Sequence, residues 1–225
     1  DTSTPSIFAD VHVAARIKAE LPRTFGVLMG THPAALPVET LQLDPAVDAV
    51  TIGEADYAVR DLARLIEEQE LLSENTDLAR KRTVLSTVDG IAFRIHDQVV
   101  VNKERELIDN LDELPFVSQI YARYLNPKAY FFAASDYPEV QIMTARGCIA
   151  QCSFCVYPQT IHKGKYRMRS AENIADEFEW ISTHMPEIRE VGIEDDTFTG
   201  DQRRVIDFCK EKIKRKLKIK WYCNV

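Results

Sequence analysis

No apolar run in this sequence reaches the roughly 18 residues that a membrane-spanning helix needs. No basic segment followed by an apolar leader opens it. A chain without a transmembrane segment is expected. Basic clusters are also scarce. The formal net charge is −7, and broad binding to a phosphate backbone needs clustered Lys and Arg, so no nucleic-acid partner is expected. The one basic run, "KEKIKRKLKIK" (210–220), reads as a solvated helix face. Internal repeats and low-complexity tracts are absent. Cysteine is short by one for a disulfide framework: the five present are an odd number and are unevenly spread. A reducing, cytoplasmic compartment is the expectation.

What is there suits a globular protein. The chain has 225 residues, of which 45% are hydrophobic and 28% charged, enough for one large domain or two small ones. It begins with Asp1 and ends on Val225 in an apparent strand, so a piece of a longer protein is expected. Apolar spacing predicts a helix over 10–22, a strand over 25–30, a short helix over 37–43 with Pro37 in its first turn, a strand over 47–53 and a helix over 54–70. That order predicts a parallel α/β layer. Residues 71–83 read as a polar connector and 90–102 as a β-hairpin. Residues 106–132, with Pro breaks and aromatics, read as a linker packing on both neighbours. From 140 on, the pattern is strand (140–145), loop, helix (170–185, Ser170 as N-cap), strand (189–195), helix (201–216), strand (218–225). Such a series predicts a parallel sheet or the start of a barrel.

Three cysteines fall within eight positions in "RGCIAQCSFC" (146–155), as C-x3-C-x2-C. A structural zinc site wants four ligands, and so does an iron–sulfur cluster closed by thiolates. His162 is the nearest further candidate, while Cys209 and Cys223 are far off and read as core packing. Three ligands on one tight loop suggest a cluster with one iron left open, as catalytic metal sites keep a free position. The loop follows a predicted strand, where sites collect in parallel α/β folds. Gly147 suits a loop backbone that side chains would restrict. Downstream, "GIEDDTF" (192–198) sets Glu194, Asp195 and Asp196 at a strand end. Adjacent carboxylates repel unless they meet a cation, and a solvated loop is the plainer alternative. Strand alternation sends Glu194 and Asp196 one way and Asp195 the other. Arg167 and Arg169 read as anion contacts or, more commonly, exposed side chains.

C-x3-C-x-aromatic-C after a strand resembles the signature of the radical S-adenosylmethionine (radical SAM) superfamily. The resemblance implies that Cys148, Cys152 and Cys155 ligate three irons of a [4Fe–4S] cluster, with Phe154 shielding it or lying beside the cofactor. The fourth iron would hold S-adenosylmethionine for cleavage to a 5′-deoxyadenosyl radical. It further implies that one of Glu194, Asp195 and Asp196 meets the S-adenosylmethionine amino group. The carry-over is positional, because the usual Gly-Gly-Glu is lacking.

The first half resembles the end of a cobalamin-binding domain, through "TSTPS" (2–6), "GTH" (30–32) and "IGEAD" (52–56). Gly30, Thr31, His32, Gly53 and Glu54 would then stand around the cobalamin nucleotide tail. The family's D-x-H-x-x-G is not in this chain, and His32 is not assigned as a cobalt ligand. "CVYPQ", "YRMRS", "EDDTFT" and "WYCN" look closest to the hopanoid-biosynthesis-associated branch, with the anaerobic magnesium-protoporphyrin ester cyclases and class B methyltransferases related.

The fold expected is α/β. A truncated Rossmann-like cobalamin-binding domain (1–70) and a linker with a hairpin (71–138) precede the first part of a partial (β/α)6 radical SAM barrel (139–225). The implied partners are a small hydrophobic substrate and a reductant such as flavodoxin or ferredoxin. A zinc-stabilised, non-catalytic binding module and a cobalamin-independent radical SAM enzyme stay as rivals.

Overall fold

The computed structural model describes residues 2–73 and 77–225. They form two compact units: residues up to 107 together with 154–163, and residues 108–153 together with 164–225.

In the first unit, helix α1 (Ile7–Glu20) leads to strand β1 (Val27–Leu28), helices α2 (Thr31–Ala35) and α3 (Pro37–Leu43), strand β2 (Ala49–Thr51) and helix α4 (Asp56–Glu68). Helix α5 (Leu78–Leu85) and the hairpin β3 (Ile91–Ile95)–β4 (Gln98–Val101) follow. β1 and β2 are parallel, and the hairpin joins them antiparallel through β3, giving the order β1-β2-β3-β4. Alternation along the strands builds two cores. Ala49, Ile91, Phe93 and Ile95 meet Ala58 and Leu62 of α4 and Leu85 of α5 on one face. Val50 and Ala92 meet Ile7 and Val11 of α1 and Leu41 of α3 on the other. Helices therefore cover the sheet on both sides.

Two expectations change here. The strand expected over 25–30 is only two residues long. Before it, Gly26 turns its N–H to the Asp48 carboxylate at 2.7 Å, and a Cβ there would lie 2.4 Å from the Ala46 carbonyl oxygen. The stretch read as a connector, 71–83, carries most of α5, while its residues 74–76 lie outside the described residues. Asp77 caps α5 by accepting the Arg80 N–H at 3.3 Å. Leu85 alone among the helix residues is buried, too narrow a stripe to announce a helix.

The second unit begins with helix α6 (Val117–Tyr124), then strand β5 (Glu139–Ile142) and the two-residue β6 (Ala145–Arg146). Helix α7 (Tyr157–Thr160) belongs to the segment grouped with the first unit. Then come β7 (Arg167–Met168), α8 (Ala171–His184), β8 (Glu190–Ile193), α9 (Gln202–Lys214) and β9 (Lys220–Cys223). β5, β8 and β9 form a parallel sheet in that order, the β-α-β-α-β series expected. The molecule is thus mixed α/β with parallel strand pairs.

Ser170 caps α8 by accepting the Asn173 N–H at 3.1 Å, and Asp201 caps α9 through the Arg204 N–H at 2.8 Å. Val140, Ile142, Val191 and Ile193 point to the helices and pack with Ile174, Phe178, Ile181, Phe198 and Phe208. Phe178 and Phe208 meet edge-to-face at 5.1 Å, a favoured aromatic geometry. Cys223 is half-buried against this core, and Cys209 is half-buried too, so neither thiol is fully enclosed. Among the described residues no helix is long and apolar enough to cross a membrane.

Candidate functional site

The cysteine-bearing segment leaves the sheet at the end of β5. β6 and β7 pair antiparallel, Ala145 with Met168 and Arg146 with Arg167, and so close its base. Gly147, next in line, has φ 87°, a conformation open to glycine and costly for other residues. All five cysteines are free; Cys148 and Cys155 are half-buried and Cys152 is exposed. Cys148 Sγ accepts the Ala150 N–H at 3.3 Å and lies 3.2 Å from the Thr197 hydroxyl oxygen. Phe154 is 88% exposed. His162 is buried and stacks on Tyr157, their ring centroids 6.0 Å apart. Among the described residues, no three His, Cys, Asp or Glu side chains are gathered in a metal-holding group.

The three carboxylates part company as alternation requires. Asp195 is fully buried, Glu194 half-buried and Asp196 exposed. Asp195 spends both oxygens inside the protein. Oδ1 accepts the N–H groups of Thr144 at 2.5 Å and Ala145 at 2.8 Å, and Oδ2 accepts the Thr144 hydroxyl at 2.6 Å. Arg204 pairs with Oδ2 at 3.3 Å, and also donates to the carbonyls of Thr144 at 2.9 Å and Phe198 at 3.1 Å. A buried charge needs such a partner and such hydrogen bonds.

Arg167 and Arg169 are not exposed: only 8% and 7% of their surfaces reach solvent. Arg167 donates to the Ile108 carbonyl at 2.7 Å. Arg169 pairs with fully buried Glu177 at 2.6 Å and donates to the Met143 carbonyl at 3.2 Å. Glu177 in turn accepts the Ser118 N–H at 3.2 Å and hydroxyl at 2.8 Å. Residues 143–145, directly before the cysteines, are therefore held by two buried ion pairs. Thr144, Glu177, Thr197 and Arg204 escaped the sequence reading. Single polar residues carry no periodic signal, and decisive partners are distant: Thr144 and Asp195 are 51 positions apart, Glu177 and Ser118 59, and Arg204 and Thr144 60.

The opposite face of the three-stranded sheet is polar. The Tyr222 hydroxyl donates to Glu139 at 3.0 Å and accepts from Gln141 at 3.3 Å. Its pKa is pushed up to about 12, first by burial, then by the Glu139 carboxylate, which accepts its hydrogen bond and so favours the protonated phenol. The ring lies across Gly192, where a Cβ would come 2.4 Å from the hydroxyl oxygen. Beside this group, Tyr121, Leu125, Tyr130, Phe131 and Phe132 line a cavity of about 300 Å³.

In the first unit, the expected cobalamin-loop residues stand past the C-terminal ends of β1 and β2. Gly30 precedes α2, which takes in Thr31 and His32; Gly53 and buried Glu54 lie between β2 and α4. The 2–6 segment runs alongside: Thr2 donates its N–H to the Met29 carbonyl at 2.6 Å, and the Thr4 hydroxyl meets His32 Nδ1 at 3.1 Å. The basic run is largely spent at home. Lys212 donates to the carbonyls of Leu217 and Ile219, Arg215 pairs with Asp176, Glu179 and Glu211, and Lys220 pairs with Asp136.

Comparison with known proteins finds similarity to methyltransferases, including one named as a cobalamin-dependent radical SAM enzyme, and to an anaerobic ester cyclase. This agrees with the family resemblance carried by the cysteine motif. An uncharacterized methyltransferase of Pyrococcus horikoshii is 29% identical over 222 residues, 98% of this chain and 44% of the relative. The anaerobic magnesium-protoporphyrin IX monomethyl ester cyclase of Rubrivivax gelatinosus is 25% identical over 98% of this chain and 37% of its own length. The cobalamin-dependent radical SAM methyltransferase TokK of Streptomyces tokunonensis is 25% identical over 76% of this chain and 23% of its own length. The chain spans less than half the length of each of these relatives. No family model matches it.

Proposed function

We propose that the chain is part of a radical SAM enzyme in which Cys148, Cys152 and Cys155 bind a [4Fe–4S] cluster and the residues around Gly30 and Gly53 bind cobalamin. The observation that carries the reading is three unpaired thiols in C-x3-C-x2-C, in a chain related along nearly its whole length to methyltransferases and a cyclase. The donor chemistry fits, since thiolates are the ligands of such clusters. Three of them leave one coordination position for a cofactor.

Held by Cys148, Cys152 and Cys155, the cluster would supply the electron for reductive cleavage of S-adenosylmethionine, and cobalamin would supply a transferable methyl group or a redox partner. The chain's own residues divide the remaining work. Gly147 lets the backbone turn into the ligand loop. Asp195 and Arg204 hold Thr144 and Ala145, which lead into it. Asp195 is so engaged, and Glu194 or Asp196, at the same strand end, would accept the S-adenosylmethionine ammonium. Phe154 would cover the cluster or the cofactor. Gly30, Thr31, His32, Gly53 and Glu54 would line the cobalamin nucleotide tail.

In this reading, residues 1–70 are the end of a Rossmann-like cobalamin domain, 71–138 a linker with the hairpin, and 139–225 the first part of a (β/α)6 barrel. The reaction is methyl transfer, cyclisation or carbon–carbon coupling at an unactivated carbon of a hydrophobic small molecule, fed by a flavodoxin- or ferredoxin-like donor in the cytoplasm.

Anaerobic reconstitution of the intact protein should give about four iron and four sulfide per chain. Alanine at any of the three cysteines should abolish S-adenosylmethionine cleavage. Retained cleavage in such a variant, or zinc at about one per chain in place of iron, would refute the reading.

A further inference from the structure

Thr197 stands where the carboxylate strand end meets the first cysteine. Its hydroxyl oxygen is 2.8 Å from the Asp196 carbonyl oxygen and 3.2 Å from Cys148 Sγ. The residue is fixed there. Tyr166 donates to the Thr197 carbonyl at 3.0 Å, and the next residue, Phe198, donates its N–H to Asn224 at 3.0 Å.

A hydroxyl has one proton to give. A carbonyl oxygen can only accept, so with Cys148 as a free thiol the count closes one way: Thr197 donates to Asp196, and the thiol donates to Thr197. A cysteine that ligates iron carries no proton. The sulfur and the Thr197 oxygen would then face each other at 3.2 Å with lone pairs opposed, unless the hydroxyl proton turns to the sulfur. The turn is favourable, because a charged sulfur is the stronger acceptor. The Asp196 carbonyl it abandons belongs to an exposed residue, where water can replace the lost donor.

We propose that Thr197 is a positioning residue for the cluster: its hydroxyl donates to Cys148 Sγ when that sulfur ligates iron, and so raises the reduction potential. This rests on the cluster reading above. Hydrogen bonds to ligand sulfurs stabilise the more negative, reduced state and set the potential of iron–sulfur centres. Ala150 N–H, at 3.3 Å from the same sulfur, is a second donor. Cys148 thereby has two donors within reach of its sulfur.

The test compares intact wild-type protein, Thr197→Val and Thr197→Ser after anaerobic reconstitution, by iron and sulfide content and by midpoint potential from an EPR-monitored redox titration. Val should leave the cluster content unchanged and lower the midpoint, and Ser should restore it. A Val midpoint equal to wild type, with the cluster intact, overturns the proposal. Wild-type protein that takes up no iron–sulfur cluster overturns the underlying reading instead, and the proposal with it. Should Val fail to fold, Thr197→Ala serves in its place with the same expected shift.

Discussion

Asp195, fully buried at the end of β8, holds Thr144 at the end of β5 by both its backbone N–H and its hydroxyl, at 2.5 and 2.6 Å. Two adjacent parallel strands are thus tied together at their C-terminal ends, four residues before the first cysteine. Asp195→Ala leaves Arg204 buried without its charge partner and should cost about 3–5 kcal/mol in chemical denaturation. Adding Arg204→Met should recover part of that loss, since the pair is coupled. Additive losses would show that the two residues act separately.

Gly192→Ala should cost about 1–3 kcal/mol, typical of overpacking, because the new methyl group would sit 2.4 Å from the Tyr222 hydroxyl oxygen. Combined with Tyr222→Ala, the same substitution should cost much less. Equal costs in both backgrounds would mean that Tyr222 does not lie over Gly192.

Tyr222 also gives the protein a high-pH limit. Its pKa stands at about 12 in the fold against 10.0 ordinarily. Between those values the unfolded chain has released the proton and the folded one keeps it. The contribution is therefore complete below pH ~10 and lost as pH climbs through the folded value. Stability should fall across that window, and Tyr222→Phe should fall less steeply. Phenolate absorbance should show one tyrosine fewer ionising late in the variant. Identical titrations would refute the assignment.

The cysteines should differ in reactivity. Cys152 is exposed and should be alkylated first in metal-free protein. Burial, followed by the nearby Asp195 carboxylate, pushes the Cys223 thiol up, so at neutral pH it should react slowly, because the thiolate is the nucleophile. Mass spectrometry of timed labelling checks the order, and early labelling of Cys223 would contradict it.

Much of this was legible in the sequence. Ser170 before an apolar-periodic stretch marked α8, Pro37 marked α3, and alternation put Asp195 on the other side from Glu194 and Asp196. The ion pairs were not legible. Arg169 and Arg204 look like surface arginines until folding brings Glu177 and Asp195 to them. The open hairpin over 90–102 was plain from its own pattern, but its pairing to β2 was not, because register between distant strands leaves no local mark. The three cysteines were legible because ligand spacing on one loop is a local property.

The most direct test of the central claim is EPR of the reduced, iron-reconstituted protein with and without S-adenosylmethionine. A cluster signal that changes when S-adenosylmethionine is added is the expected result, since three cysteines leave one iron for the cofactor. A cluster signal indifferent to S-adenosylmethionine, or no cluster at all, would contradict it.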